Sequence, residues 1–75
     1  MAMAFVMINA EVGAEREVLN ALKKINSVKE AYMAYGVYDL LVKLEAETMD
    51  KLKEAVASLR RVDRIRSTLT IPVKE

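Results

Sequence analysis

Two short amphipathic helical stretches, each flanked on both sides by an apolar extended stretch, constrain this 75-residue chain more than any other feature. The first extended stretch, Met3 to Ala10, is apolar at nearly every position and includes Phe5, Val6 and Ile8. It is short for a helix and has no helical period, so it reads as a buried strand. Gly13 ends it. From Ala14 to Ile25 the residues Val18, Leu22 and Ile25 recur at helical spacing, with Ala14 and Ala21 widening the stripe. Glu15, Arg16, Glu17, Lys23 and Lys24 fall mostly outside it, acids early and bases late, as a helix dipole prefers.

The same sequence of elements then repeats. Asn26-Ser27 signals a turn, and Val28 to Tyr35 alternates loosely as a second strand. Gly36-Val37-Tyr38 forms the turn of a β-hairpin, and Asp39 to Leu44 is a third, strongly apolar strand. Thr48 is placed to N-cap a second helix running to about Arg60, with Met49, Leu52, Val56 and Leu59 as its stripe. A fourth strand covers about Ile65 to Val73. The order β-α-β-β-α-β, with right-handed crossovers, gives a four-stranded antiparallel sheet with both helices on one face. This is a ferredoxin-like α+β fold, expected as one domain over residues 1–75. The first and third strands are central. Pro72 suits an edge strand, and Lys29 and Glu30 put charge on the other edge.

A sheet covered on one side alternates apolar and polar residues. The first strand does not: Met3, Phe5 and Met7 face one way, and Ala4, Val6 and Ile8 the other. Leu41 likewise lies opposite Leu40, Val42 and Leu44. Two helices cover one face only, so a homodimer built sheet against sheet is expected. In the fourth strand Thr68 and Thr70 share one face, and Leu69, Ile71 and Val73 share the other, which is expected to point toward the helices.

Composition removes most kinds of chemistry. There is no Cys and no His, which excludes disulfides, thiol nucleophiles and the usual zinc ligands, and removes the commonest general base. With only Gly13 and Gly36 there is no phosphate-binding glycine loop. The expectation is a non-enzyme with no cofactor. A small core without cross-links again points to oligomerisation. High charge, at 31% of residues, without Cys, His or Gln fits a thermophilic source, whereas five Met and three Asn do not. A net charge of +1 gives no general pull toward nucleic acid. Arg60, Arg61, Arg64 and Arg66 form the one basic cluster, read mainly as a helix C-terminus and its surface ion pairs. No run reaches the roughly 18 apolar residues of a membrane span, and no basic leader precedes the first strand, so a cytoplasmic location is the default.

One constellation carries binding chemistry. Tyr35-Gly36-Val37-Tyr38-Asp39 puts a glycine, two phenolic hydroxyls and a carboxylate in one turn. Glycine permits a positive φ and close approach of a ligand to the backbone, and the carboxylate can pair with an ammonium. The same residues admit a plain structural account, in which Gly36 makes the turn, Asp39 binds backbone amides and the Tyr rings cover the sheet. Ser67, Thr68 and Thr70 offer hydroxyls for a carboxylate, although Thr is common in strands for its β-branching alone.

The run Tyr35-Gly36-Val37-Tyr38-Asp39-Leu40-Leu41-Val42-Lys43 resembles the glycine, tyrosine-aspartate, apolar-strand signature of the Lrp/AsnC, or feast/famine, regulators. It lies in their C-terminal effector domain, the RAM domain. Leu52 to Leu59 resembles the second helix of that domain, and Ile65, Thr68, Thr70 and Ile71 its last strand. The resemblance spans essentially the whole chain. It implies a homodimer assembling into an octamer or decamer, with a free amino acid bound as effector between dimers. Tyr35, Gly36, Val37, Tyr38 and Asp39 would form the ligand loop, Asp39 pairing with the ammonium. Backbone amides and hydroxyls from Thr68 or Thr70, with Ser67 a neighbour, would hold the carboxylate. Full-length relatives carry a DNA-reading helix-turn-helix domain before this one. The present sequence begins two residues before the first strand, so a stand-alone RAM protein without direct DNA binding is expected, one that co-assembles with full-length Lrp/AsnC regulators. Competing readings are a small dimeric ferredoxin-like enzyme or isomerase using Asp39, Lys43 or a Tyr, a ring-forming adaptor with no ligand, and the related ACT module.

Overall fold

The structure is a computed structural model, and it describes residues 1–73. Its elements are β1 (Ala2–Ala10), α1 (Glu15–Leu22), β2 (Val28–Met33), β3 (Leu40–Ala46), α2 (Met49–Arg60) and β4 (Ile65–Pro72). The sheet order is β2-β3-β1-β4 with every neighbouring pair antiparallel, so β1 and β3 are central and β2 and β4 are edges. This is the expected ferredoxin-like arrangement. Pro72 does lie on an edge strand, where its missing N–H costs no ladder bond.

The core lies between the sheet and the two helices. Ala4, Val6 and Ile8 of β1 and Leu40, Val42 and Leu44 of β3 are completely buried there. Val18, Leu19 and Leu22 of α1 and Leu52, Ala55 and Leu59 of α2 close over them. Helix α2 starts as read: the Thr48 hydroxyl accepts the Lys51 N–H at 3.2 Å. Helix α1 is shorter than its periodicity suggests. It stops at Leu22 and the chain turns through Lys23 and Lys24, whose N–H groups still reach the carbonyls of Leu19 and Ala21 at 3.1 and 3.2 Å. Ile25 packs on the core from this turn, which is why it kept the helical spacing. The second strand also ends early, at Met33, so the hairpin connection is longer than the three residues expected.

The second face of the sheet is open. Across it Tyr32, Leu41, Met7 and Leu69 form one row, and Glu30, Lys43, Phe5 and Ile71 the next. Leu69 and Ile71 are 43% and 44% exposed. This corrects the expectation for β4. Thr70 pairs with Val6 and Thr68 with Ile8, so the threonines face the helix side and Leu69 and Ile71 face out. The reason is register. Alternation divides a strand into two faces but does not say which face is inner. The apolar side of β4 continues the row of Met7 and Phe5 on the open face. Lys43 crosses that face to Glu30 at 3.5 Å and Glu45 at 3.3 Å, and the Tyr32 hydroxyl donates to Glu30 at 2.7 Å.

Candidate functional site

The end of the sheet where β1 finishes and β3 and β4 begin contains a slip in register. Asn9 pairs with Ser67, but Ala10 pairs with Ile65, leaving Arg66 as the extra residue of a β-bulge. A bulge re-aims the side chain it inserts. Beside it, Asp39 enters β3. Its N–H donates to the Ile8 carbonyl at 2.9 Å, and its Oδ2 accepts the Ala10 N–H at 2.9 Å. Asp39 therefore anchors the turn to β1 with one carboxylate oxygen. The structural role considered for it is present, and the other oxygen has no hydrogen-bond partner among the described residues.

The turn itself projects from this anchor. The Ala34 N–H donates to the Asp39 carbonyl at 2.8 Å and closes it. Gly36 has φ 114°, a backbone conformation open to glycine, and a Cβ built there meets nothing within 4 Å. The backbone N–H groups of Tyr35 to Tyr38 have no backbone partner among the described residues. Tyr35 is completely exposed, so its ring does not cover the sheet, and Val37 beside it is 83% exposed. Tyr38 is half-buried in a shallow apolar recess with Met7, Leu40 and Leu41.

Between the turn and the bulge lies a cleft of about 370 Å³. Asp39 and Val37 form one wall, and Arg66 and Ser67 the opposite one. Asn9, Val12 and Glu15 complete it from β1 and the start of α1. The Asn9 side-chain amide points to the Ser67 hydroxyl at 3.4 Å. The cleft thus combines two carboxylates with one guanidinium that has no ion-pair partner among the described residues. Asp39 also borders a second recess of about 280 Å³ with Glu15, Met33, Ala34 and Tyr35.

Of the residues singled out in the sequence, Val37, Asp39 and Ser67 share the main cleft, and Tyr35, Gly36 and Tyr38 belong to the turn beside it. Thr68 and Thr70 do not join them within one chain. Both face the helix side, and Thr70 lines a different hollow next to α2. Sequence reasoning missed Asn9, Val12 and Glu15, and placed Arg66 in a surface cluster. No linear motif marks the first three. Only the bulge distinguishes Arg66 from Arg60, Arg61 and Arg64.

A ferredoxin-like sheet with one open apolar face and a polar cleft at an exposed hairpin turn defines a small ligand-binding module. The chain belongs to the family of Lrp/AsnC ligand binding domains, whose pattern matches residues 3–75. The solved structure of FFRP-DM1 superimposes with a TM-score of 0.93 at 37% identity, covering 99% of this chain and all of that one. A homocitrate synthase of Saccharolobus islandicus is 42% identical over 53 residues, which are 71% of this chain and 12% of the enzyme. The HTH-type transcriptional regulator FL11 of Pyrococcus furiosus is 27% identical over 71 residues, 95% of this chain and 47% of the regulator. The chain thus spans less than half the length of these two relatives.

Proposed function

We propose that this chain binds a free α-amino acid as an effector in the cleft between the hairpin turn and the β4 bulge, and does so without catalysis. The observation that carries this reading is the charge arrangement. An amino acid presents an ammonium and a carboxylate on adjacent atoms. Asp39 and Glu15 offer two anions to the first, and Arg66 offers a planar pair of donors to the second. The unused N–H groups of the turn supplement Arg66. The ligand side chain then points toward Val37 and Val12, which admits a small aliphatic group. A volume of about 370 Å³ is within the range of small-molecule sites.

Assembly is the second part of the proposal. Phe5, Met7, Leu41, Leu69 and Ile71 form an apolar surface on the open face, and burying it against a second copy removes it from water. The exposed Tyr35 and Val37 then offer contacts between dimers, in an octamer or decamer where the cleft lies next to a neighbouring subunit. A neighbour's Thr68 reaches the ligand only in that setting, whereas Thr70, shielded on the helix side, does not. The output is modulation of Lrp/AsnC-type transcription regulation of amino-acid metabolism, by co-assembly with full-length regulators. The match to part of a homocitrate synthase supports a second reading, in which the regulated partner is a metabolic enzyme.

Calorimetric titration with each standard amino acid tests the ligand, using the natural protein, Asp39→Asn and Arg66→Gln. Saturable binding of one or a few amino acids, weakened at least about tenfold in both variants, is the expected result for loss of a hydrogen bond to a charged group. Absence of binding to any amino acid leaves a ring-forming adaptor as the better account.

A further inference from the structure

A separate hollow of about 320 Å³ opens on the helix side of the sheet, between α2 and the β4 edge. Its floor and walls are apolar: Ala4, Leu52, Val56 and Pro72, with Met49 at one end. Two cations, Lys53 and Arg60, border it. They are seven residues apart on α2 and so lie two turns from each other on one side of the helix. Neither has a carboxylate within ion-pair distance among the described residues, although Lys51 on the same helix is paired with Glu47.

Thr70 supplies the third part. It lines this hollow, and its hydroxyl oxygen is shielded from solvent with no hydrogen-bond partner among the described residues. Such a group loses its water without replacement, a cost a native structure normally avoids. Valine has the same shape and carries no such cost, so shape alone does not explain a threonine here. Thr70 lines the hollow, so an acceptor bound there is the group within reach of its hydroxyl through a change of χ1 rotamer.

An apolar trough, two unpaired cations at its border and one buried hydroxyl without a partner describe a receptor for an amphiphilic anion. We propose that the hollow between α2 and β4 is a second ligand site, taking a free carboxylate with an unbranched apolar tail. The carboxylate accepts from Arg60 and the Thr70 hydroxyl, and Lys53 adds charge from the next turns. The tail lies along Val56, Leu52, Pro72 and Met49. The site is distinct from the amino-acid cleft, with which it shares no lining residue. It therefore stands or falls independently of the reading given above.

The test is a backbone-amide NMR titration of the whole chain with octanoate, with octanol, octylamine and acetate as controls. Octanoate is expected to shift the amides of Val56, Ala57, Thr70 and Ile71 in a saturable way. Octanol and octylamine should bind at least about tenfold more weakly for want of the charge-assisted bonds, and acetate should not saturate. Arg60→Gln with Lys53→Gln is expected to weaken octanoate about tenfold or more, Thr70→Val several-fold, and Asp39→Asn not at all. Equal binding of octanol and octanoate, an unchanged affinity in the double variant, or response only to anionic vesicles each overturns the proposal. Loss of octanoate binding in Asp39→Asn overturns it too, by placing the ligand in the other cleft.

Discussion

The carboxylate of Asp39 accepts the backbone N–H of Ala10 at 2.9 Å, at the point where β4 slips one residue against β1. One bond thereby fastens the hairpin turn to the bulged end of the sheet and fixes the two walls of the cleft. Asp39→Ala removes a charge-assisted bond to a half-buried donor and is expected to cost about 1.5–3 kcal/mol of stability. Asp39→Asn keeps an acceptor and should cost clearly less. Urea denaturation followed by circular dichroism measures both, and equal losses would show that the charge-independent geometry of the bond is not what matters.

Thr70→Val should raise the stability of the ligand-free protein. It deletes a shielded hydroxyl without a partner and keeps the β-branched shape, so a gain of about 1 kcal/mol or more is expected. Thr68→Val serves as the control, because no unsatisfied atom is found there. A loss of stability in Thr70→Val would mean that the hydroxyl is bonded in solution.

Arg64 holds φ 71°, in the left-handed region, while its side chain pairs with Glu17 at 3.2 Å and its carbonyl accepts the Glu11 N–H at 2.8 Å. A non-glycine residue there costs about 1–2 kcal/mol, and the exposed ion pair returns little of it. Arg64→Gly should therefore be near neutral, because relief of strain offsets the added chain entropy and the lost pair. Arg64→Val places a β-branched residue at positive φ and should lower the melting temperature markedly. Thermal melts of the two variants decide this.

The open face predicts an alkaline and an acid limit to stability. The Tyr32 hydrogen bond foremost, aided by Lys43, holds the Glu30 carboxyl below its ordinary value of 4.5. Its contribution is present above that value and is lost as pH falls through the lower folded value. Lys43 is raised above 10.5, first by its bond to Glu45 and then by attraction to Glu30 and Glu45. Tyr32 is raised above 10.0 by its bond to Glu30. Both contributions are present below those ordinary values and fade as pH rises through the folded ones. Melting temperature against pH should show a plateau with a fall at each end. Lys43→Met should shrink the alkaline fall more than the acid one, because Tyr32 still holds Glu30.

Leu69→Lys puts charge in the middle of the apolar rows on the open face without touching the core, since Leu69 faces away from both helices. Light scattering should then report a smaller assembly than for the natural chain, with the far-ultraviolet spectrum unchanged. An unaltered mass would show that this face is not the contact between copies.

The element order, the central and edge strands, the Thr48 cap and the glycine turn were all legible in the residues. Each rests on a local property: a period of two or of 3.6, a hydroxyl before an apolar run, a position free of Cβ. Apolar residues on both faces of β1 were equally legible, and with them the open face. What only the tertiary structure decided was facing and convergence. The threonines of β4 turn inward because their register with Val6 and Ile8 is set by pairing across the sheet, which no pattern within β4 encodes. Arg66 leaves the basic cluster for the cleft because a bulge, formed only when β4 meets β1, inserts it there. Glu15 and Asn9 reach the same cleft from segments whose proximity to Asp39 depends on the closed sheet. Local sequence sets the periodicity of each element, and pairing between distant strands determines which side chains meet.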